Sequence, residues 1–155
     1  MKSSRLQEEL QWHPRAPVPE QEAYLNLRRT HDLLATEFAA LFKQYGVTEA
    51  QFNILRILAG AAGRSLPCLA IRDRLIARVP DITRLVDGLE RAELVARKRG
   101  DKDRRVVHVT ITRKGLALLS KLAAPLLAMH KQQFQHFTPE EVARLNRLLE
   151  KARDR

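Results

Sequence analysis

The sequence predicts a mainly α-helical fold with one small β-hairpin, and three observations carry that prediction. Apolar residues recur at helical spacing over most of residues 20–155. Only 5% of the residues are aromatic, while leucine, alanine and arginine are frequent. The apolar period changes once, within residues 94–112, which indicates strands there. With 155 residues, 45% of them hydrophobic, the chain is long enough for one domain with its own core.

The N-terminal segment, residues 1–19, contains three of the seven prolines and no sustained apolar period. We expect an arm there, with a short helix at residues 4–12. Residues 20–45 follow with leucine and phenylalanine at spacings typical of one long helix. Gly46 is expected to end that helix, because glycine adopts the left-handed conformation of a helix C-terminus without strain.

Three shorter helices are predicted next. Thr48 and Gln51 have the spacing of a capping box and start the second helix. Residues 65–77 are expected to form a short third helix. Pro80 suits the first turn of a fourth helix, residues 80–92, where its missing N–H costs nothing. One face of this fourth helix is apolar and the other is polar: Ile82, Leu85, Val86 and Leu89 against Asp81, Arg84, Gly88 and Arg91.

A charged hairpin follows the fourth helix. Residues 94–99 and 105–112 are predicted to be two strands around a turn at residues 100–101. The formal net charge of the chain is +10, and residues 72–114 contain thirteen basic and seven acidic side chains. More than half of the excess positive charge therefore lies in one stretch, which indicates a polyanionic partner.

Two helices complete the chain. Thr112 caps the fifth, which we expect to bend at Pro125. A capping box at residues 138–141, with proline at the first helical position, starts the sixth. Apolar side chains near both ends of the chain would be exposed in a monomer, so a homodimer that covers them is expected. They are Leu6, Leu10, Leu145, Leu148 and Leu149.

The order of helix, turn, helix and basic hairpin in residues 47–112 predicts a winged helix-turn-helix, whose second helix lies in the DNA major groove. Thr83 can donate to a phosphate and Arg84 can pair with guanine. The hairpin, or wing, can insert an arginine into a narrow minor groove, and Asp103 can fix the direction of a guanidinium. The residues predicted to contact or position DNA are Asp81, Thr83, Arg84, Arg97, Arg99, Lys102, Asp103, Arg104 and Arg105.

Three segments together resemble the multiple-antibiotic-resistance regulator (MarR) family of winged-helix transcription factors. They are VTEAQFNILRIL at 47–58, ITRLVDGLERAELVAR at 82–97 and DRRVVHVTITRKG at 103–115. The resemblance implies a homodimer joined by its terminal helices, here residues 20–46 and 113–155. It implies repression at a pseudo-palindromic operator in double-stranded DNA. It also implies that the arginine of the family's D-x-R motif, here Arg105, enters the minor groove.

Two positions depart from the family pattern. Glu93 stands where a glycine usually ends the recognition helix. Because a left-handed cap is costly for other residues, we expect this helix to end differently. Gly88 stands where an arginine is common, and a glycine inside a helix costs about 1 kcal/mol relative to alanine. We expect one phosphate contact fewer, so the family's docking angle on DNA does not carry over automatically.

The resemblance further implies a small effector, often phenolic or anionic, that releases DNA. It would enter a cleft between the dimerisation region and the winged helix, which we expect between the first, second and fifth predicted helices. Arg28, His31 and Arg56 are the polar residues nearest to that cleft in the sequence and are the predicted ligand contacts. The alternative is a dimer without an effector, whose cleft is filled by side chains.

Cys68 leaves a second regulatory mechanism open. As the only cysteine it excludes an internal disulfide, but a redox-sensing regulator that acts through its thiol is an alternative. Neither a histidine nor a second cysteine lies near it in the sequence, so a small core residue is the preferred interpretation. The histidines lack the spacing of metal ligands, and no metal site or cofactor is predicted.

Other protein classes lack support in the sequence. There is no phosphate-binding loop, nucleophile elbow or zinc-protease motif, so we expect no enzyme and assign no catalytic residue. No apolar run approaches the roughly 20 residues of a membrane span, and residues 1–17 lack the apolar region of a signal peptide. A cytoplasmic protein without membrane contact is therefore expected. A winged helix that binds another protein instead of DNA is the remaining alternative.

Overall fold

The computed structural model describes residues 4–13, 18–100 and 106–154. Within these ranges the chain forms seven helices and a three-stranded antiparallel sheet, which confirms the predicted mainly α fold with a small β wing. The elements in order are α1 Arg5–Leu10, α2 Pro19–Gln44, α3 Glu49–Gly60, β1 Leu66–Pro67, α4 Cys68–Arg72, α5 Ile82–Arg91, β2 Val95–Arg99, β3 Val107–Ile111, α6 Arg113–Gln133 and α7 Pro139–Lys151. None of the helices in the described ranges is long and apolar enough to cross a membrane.

The helix ends follow the signals that the sequence contains. Gly46 has a φ of +70° just after α2, as a helix-ending glycine should. At the start of α3 the N–H of Gln51 donates to the Thr48 hydroxyl at 3.2 Å, and the N–H of Thr48 donates to the Gln51 side chain at 3.0 Å. A second capping box starts α7 at Thr138. Both predicted capping boxes are therefore confirmed.

The third predicted helix, residues 65–77, is wrong in its first part. Leu66 and Pro67 form strand β1 and pair antiparallel with Val109 and His108 of β3. Proline is tolerated there because β1 is an edge strand, where its missing N–H breaks no ladder. The helix that follows, α4, is only five residues long.

The prediction that Pro80 opens the fourth helix is also wrong. Helix α5 begins at Ile82, because Asp81 takes the N-cap position. Its carboxylate accepts a hydrogen bond from the N–H of Arg84 at 3.0 Å. An aspartate satisfies one of the free N–H groups of the first turn, which sets the start of the helix after Asp81.

The other end of α5 corrects the expectation for Glu93. This residue does adopt the left-handed conformation, with a φ of +61°. The N–H of Leu94 donates to the carbonyl of Leu89 at 2.9 Å, and the N–H of Glu93 to the carbonyl of Glu90 at 2.8 Å, the pattern of a Schellman motif. The Glu93 carboxylate binds the Lys114 ammonium at 2.9 Å. The helix thus ends as a glycine-capped helix does, although its cap residue is a glutamate.

The wing is an antiparallel pair, with β3 in the centre of the sheet between β1 and β2. Val95 lies opposite Ile111 and Arg97 lies opposite Val109. Beyond the strands, the N–H of Gly100 donates to the carbonyl of Val106 at 2.8 Å, so the hairpin stays paired as far as these two residues. The two predicted strands are confirmed, with ends up to two residues shorter.

The core lies inside the winged helix, and α2 and α6 pack on one side of it. The most deeply buried side chains are Ile54, Leu55, Leu58, Ile71, Val86, Leu89, Val109 and Leu122. Helix α7, by contrast, contains no buried residue. Leu6 was predicted to lie on the dimer surface, but it is already buried in the single chain, with 4% of it exposed.

Candidate nucleic-acid interface

Helix α5 has the two faces that its sequence predicts. Ile82, Val86 and Leu89 are buried against the winged-helix core. Arg84 and Arg91 lie on the opposite side and are exposed. Because the buried stripe fixes the rotation of the helix, both guanidinium groups are held toward solvent, where a DNA groove can reach them.

Asp81 and Thr83, two of the predicted DNA residues, are in different situations. Asp81 uses a carboxylate oxygen to cap the helix, which gives it a local structural function. Thr83 is exposed and lines a groove with Cys68, Arg97 and the start of β3. Its hydroxyl is therefore accessible beside the wing.

Gly88 has a packing reason that the sequence did not show. A Cβ atom at this position would lie 2.9 Å from the side-chain nitrogen of Gln51 on α3. The same Gln51 side chain accepts the capping-box hydrogen bond from Thr48, so moving it away would disturb the start of α3. A glycine lets α5 approach α3 while the capping box stays intact.

The wing residues divide into three groups. Arg99, at the end of β2, is exposed. The Arg97 guanidinium instead binds the carboxylates of Asp87 and Glu90 on α5. The hydrogen bond from Arg97 lowers the pKa of Glu90, and the same bond raises the pKa of Arg97. The other predicted wing residues, Lys102, Asp103, Arg104 and Arg105, fall outside the residues that the structure describes.

A cavity of about 350 Å³ lies where α2, α3 and α6 meet. This is the position at which the sequence placed the effector cleft. Its lining residues are Phe38, Phe42, Glu49, Phe52, Asn53, Arg56, Ile76, Leu126 and His130. Three phenylalanines, an isoleucine and a leucine make the wall mostly apolar, and four polar side chains also line it, as in small-molecule sites generally.

The structure brings one of the three predicted ligand residues to this cavity. Arg56 lines it, and its guanidinium donates to the Asn53 side-chain oxygen at 3.1 Å. Arg28 and His31 are exposed on α2 and are not among the described residues that line the cavity. They precede Phe38 by ten and seven residues, about 15 and 10 Å along the helix axis.

His130 is a lining residue that the sequence analysis did not assign to the cavity. Its ring lies 4.8 Å from the ring of Phe38, measured between centroids. Along α6, a spacing of four residues separates Leu122 from Leu126 and Leu126 from His130. Leu122 is fully buried. That spacing puts all three on one face of the helix, so the inward direction of His130 could have been inferred.

Cys68 is half-buried at the start of α4. Burial raises the pKa of its thiol, and the positive charge of Arg97 opposes that effect in part. A raised pKa leaves little thiolate at neutral pH, which is the opposite of what a peroxide-sensing thiol requires. Among the described residues there is also no group of histidine, cysteine and carboxylate side chains that could hold a metal ion.

Comparison with known proteins gives a consistent result. The family model described as transcriptional regulator SarA/Rot matches residues 36–122. The homoprotocatechuate degradative operon repressor of Escherichia coli is 28% identical over 124 residues, which cover 80% of this chain and 82% of that protein. The HTH-type transcriptional regulator MhqR of Bacillus subtilis is 30% identical over 108 residues, which cover 70% of this chain and 73% of that protein.

A solved structure extends this likeness to the whole fold. The crystal structure of a MarR transcription factor from Planctomyces limnophilus superposes with a TM-score of 0.70 and is 40% identical. The match covers 88% of this chain and 98% of that one. The proteins named in these comparisons are regulators of transcription, and none of their names describes an enzyme.

Proposed function

Because the chain belongs to the MarR family of winged-helix transcriptional regulators, we propose that it is a homodimeric repressor which a small aromatic acid releases from its operator. The observation that carries the proposal is the cavity beside Arg56. It lies between the long helices α2 and α6 and the segment that leads into the recognition helix α5. With chromosomal DNA as its partner, we place the protein in the cytoplasm, without a membrane partner or a catalytic function.

On DNA, α5 lies in the major groove and the wing follows the neighbouring minor groove. Arg84 reads a base edge, and Arg91, at the other end of the exposed face, binds a phosphate. In the wing, Arg99, Lys102 and Arg104 bind the DNA backbone and Arg105 enters the minor groove, while Asp103 fixes the direction of its guanidinium. The exposed side chains of Arg84 and Arg91 support this arrangement.

The dimer is formed by the terminal helices. Leu148 of α7 is 56% exposed, and α7 buries none of its residues in a single chain. Further large apolar side chains on the same parts of the chain are exposed: Leu10, Val18, Tyr24, Leu27, Leu33, Leu127 and Phe137. A monomer seldom leaves so much apolar surface in water. A second copy would cover it and set the two recognition helices roughly 34 Å apart, one turn of DNA.

The cavity favours one class of ligand. Its phenylalanine rings can pack against an aromatic ring, and a volume of about 350 Å³ suits a small molecule. The Arg56 guanidinium, oriented by Asn53, can bind a carboxylate. The Glu49 carboxylate at the same wall can accept from a phenolic hydroxyl. The Escherichia coli relative is named for the degradation of homoprotocatechuate, which is an aromatic acid of this kind.

Ile76 connects the cavity to the DNA-binding surface. It lines the cavity, and yet 77% of it is exposed in the free chain. It lies five residues before Asp81, the N-cap of α5. A ligand that packs on Ile76 gains apolar burial and moves the segment that fixes the start of α5. A displacement of a few ångströms is enough to spoil docking in one of two successive grooves. By linkage, a releasing ligand binds the free dimer more tightly than the DNA complex.

The proposal is tested by selecting bound fragments from the source genome and titrating the best fragment with hydroxylated aromatic acids. We expect a releasing compound to dissociate wild-type protein from this fragment. Arg56→Met should bind the fragment normally and resist release. Arg28→Met, which removes the same charge outside the cavity, should behave like wild type.

Three outcomes count against the proposal. Equal affinity of the compound for free and DNA-bound protein, measured by calorimetry, would exclude the coupling. Loss of release in Arg28→Met but not in Arg56→Met would place the ligand elsewhere. Weak, salt-independent binding to every duplex would favour a protein-binding module, since binding to phosphates weakens steeply with salt.

A further inference from the structure

Arg97 belongs to the basic wing, but strand alternation turns its side chain toward α5. Successive side chains of a strand point to opposite faces, and directly opposed residues of a pair share a face. Val95, two residues earlier, is buried, and Val109, the partner of Arg97 on β3, is fully buried. The Arg97 side chain is therefore on the inner face of the sheet, toward α5, and only 29% of it is exposed.

On that inner face the guanidinium binds two carboxylates of the recognition helix. Its Nε donates to Glu90 at 2.8 Å, its Nη2 binds the same Glu90 carboxylate, and its Nη1 binds Asp87. Asp87 and Glu90 are three residues apart, so they lie on one side of α5. One cation of the wing thus connects to two consecutive turns of α5.

These two carboxylates are unfavourable on a DNA-binding helix, because DNA phosphates have the same charge. Each is within the ten residues of α5, and their side chains remain 44% and 38% exposed. Without a cation beside them they would repel phosphates that lie within a Debye length of about 8 Å. Arg97 neutralises part of this charge and also fixes the angle between wing and helix, since a planar guanidinium holds its acceptors in a defined direction.

We propose that Arg97 is a positioning residue, which holds the recognition helix and the wing in one arrangement and neutralises Asp87 and Glu90, and that it does not itself bind DNA. This inference rests on the chain's function as a DNA-binding regulator, and it replaces the phosphate contact that the basic run of the wing predicts. Because all three nitrogens of its guanidinium donate to carboxylates of α5, Arg97 acts on DNA through the helix. The same hydrogen bond lowers the pKa of Glu90.

The first test is a mutant cycle on operator affinity, with each preparation titrated for its active fraction. Arg97→Met should lower affinity on the order of tenfold, from lost preorganisation and exposed carboxylates. In a variant that already carries Asp87→Asn and Glu90→Gln, Arg97→Met should change operator affinity by less than about threefold, because the carboxylates through which Arg97 acts are gone. Arg97→Lys should recover part of the loss. Arg99→Met is the control and should lose the same factor in both backgrounds.

Either of two results would overturn the inference. An equal loss for Arg97→Met in both backgrounds means that Arg97 acts on DNA directly. Unchanged affinity per active dimer, with lowered thermal stability, means that the ion pairs are structural only.

The second test needs no DNA, so it separates this inference from the proposed repressor function. Amide hydrogen exchange of residues 82–91 should be faster in Arg97→Met than in Arg99→Met, on the order of tenfold, because α5 loses its contact with the wing. Equal exchange in the two variants would show that Arg97 does not hold α5. If wild-type protein binds no duplex, the repressor proposal fails and the exchange measurement alone decides the function of Arg97.

Discussion

The winged helix and the terminal helices bury their apolar side chains in different ways. In the winged helix, α3 and α5 place Leu58 and Leu89 in a core that one chain completes. In α7, Leu148 lies on an amphipathic helix of which no residue is buried. The contrast indicates that the core of the DNA-binding unit is complete in one copy, whereas α7 leaves its apolar side chains uncovered, as the proposed dimer requires. It also places the cavity beside Arg56 at the border between the two regions.

The largest loss of stability is expected from a substitution that creates a new cavity in the winged-helix core. Leu58→Ala should destabilise the chain by about 2–5 kcal/mol, because Leu58 is 1% exposed and its surroundings cannot collapse fully. Chemical denaturation at one fixed protein concentration measures the loss, since the stability of the proposed dimer would depend on concentration. Leu116→Ala on α6, where the side chain is exposed, is the control. A loss below about 1 kcal/mol at Leu58 would contradict a self-contained core.

The next largest effect is expected at Gly115, where α6 starts against the winged helix. An added Cβ would overlap the Leu94 carbonyl and approach Ile111 Cγ1 to 2.7 Å. Gly115→Ala should therefore destabilise the protein by about 1–3 kcal/mol through overpacking. The control is Gly60→Ala, which meets nothing within 4 Å and has no positive φ, and which should stabilise by about 0.5–1 kcal/mol. Thermal unfolding measures both. A neutral Gly115→Ala would show that the junction is loose.

Helix starts and the short strand β1 were predictable to different degrees. Helix ends at Thr48 and Thr138 could be predicted, because a capping box involves residues only three apart. Strand β1 could not, because Leu66 finds its partner Val109 about forty residues later and proline is also common at helix starts. Local signals therefore predict the helices well, while the smallest strand depends on tertiary pairing.

For the candidate site, the positive charge could be predicted from the sequence, but the contacts of individual side chains could be predicted less well. The basic run of the wing was evident, but a count of charges does not show which cations already have acceptors. Arg97 is such a case, and the alternation from Val95 would have indicated its inward direction. Arg56 was found because it lies on α3, whereas His130 required reading the face of α6 beyond Leu126. Glu93 shows that a left-handed cap can occur without glycine.

A substitution on the exposed face of α7 is expected to change the stability of the fold less, but to change the oligomeric state. Leu148→Asp should dissociate the dimer, because it puts a carboxylate where the partner would bury an apolar side chain. Asn146→Asp creates the same residue about 200° around the helix and is the matched control. Light scattering at micromolar concentration should give a monomer mass for the first variant and a dimer mass for the second. Dimers in both variants would move the interface away from this face of α7.

The smallest expected effect concerns Cys68, and it tests how tightly the wing and α5 are held within one chain. Burial raises the pKa of this thiol, so the alkylation rate against pH should have its midpoint above that of a cysteine in unfolded protein. The charges of Arg97 and Asp87 act in opposite directions, since the first lowers this pKa and the second raises it. Arg97→Met should therefore move the midpoint to higher pH, and Asp87→Asn should move it to lower pH.

The opposite shifts of the Cys68 midpoint in the two variants distinguish a loss of charge from a loosening of the contact between the wing and α5. If Arg97→Met kept the contact between the wing and α5 open in most molecules, and not only in the rare openings that hydrogen exchange detects, Cys68 would become more exposed. Its midpoint would then fall toward that of the unfolded chain. Iodoacetamide labelling followed by mass spectrometry measures the rate in each variant, with denatured protein as the reference. Shifts to lower pH in both Arg97→Met and Asp87→Asn would mean that both act by exposing Cys68, and that the winged helix is less rigid beside the wing than its core suggests.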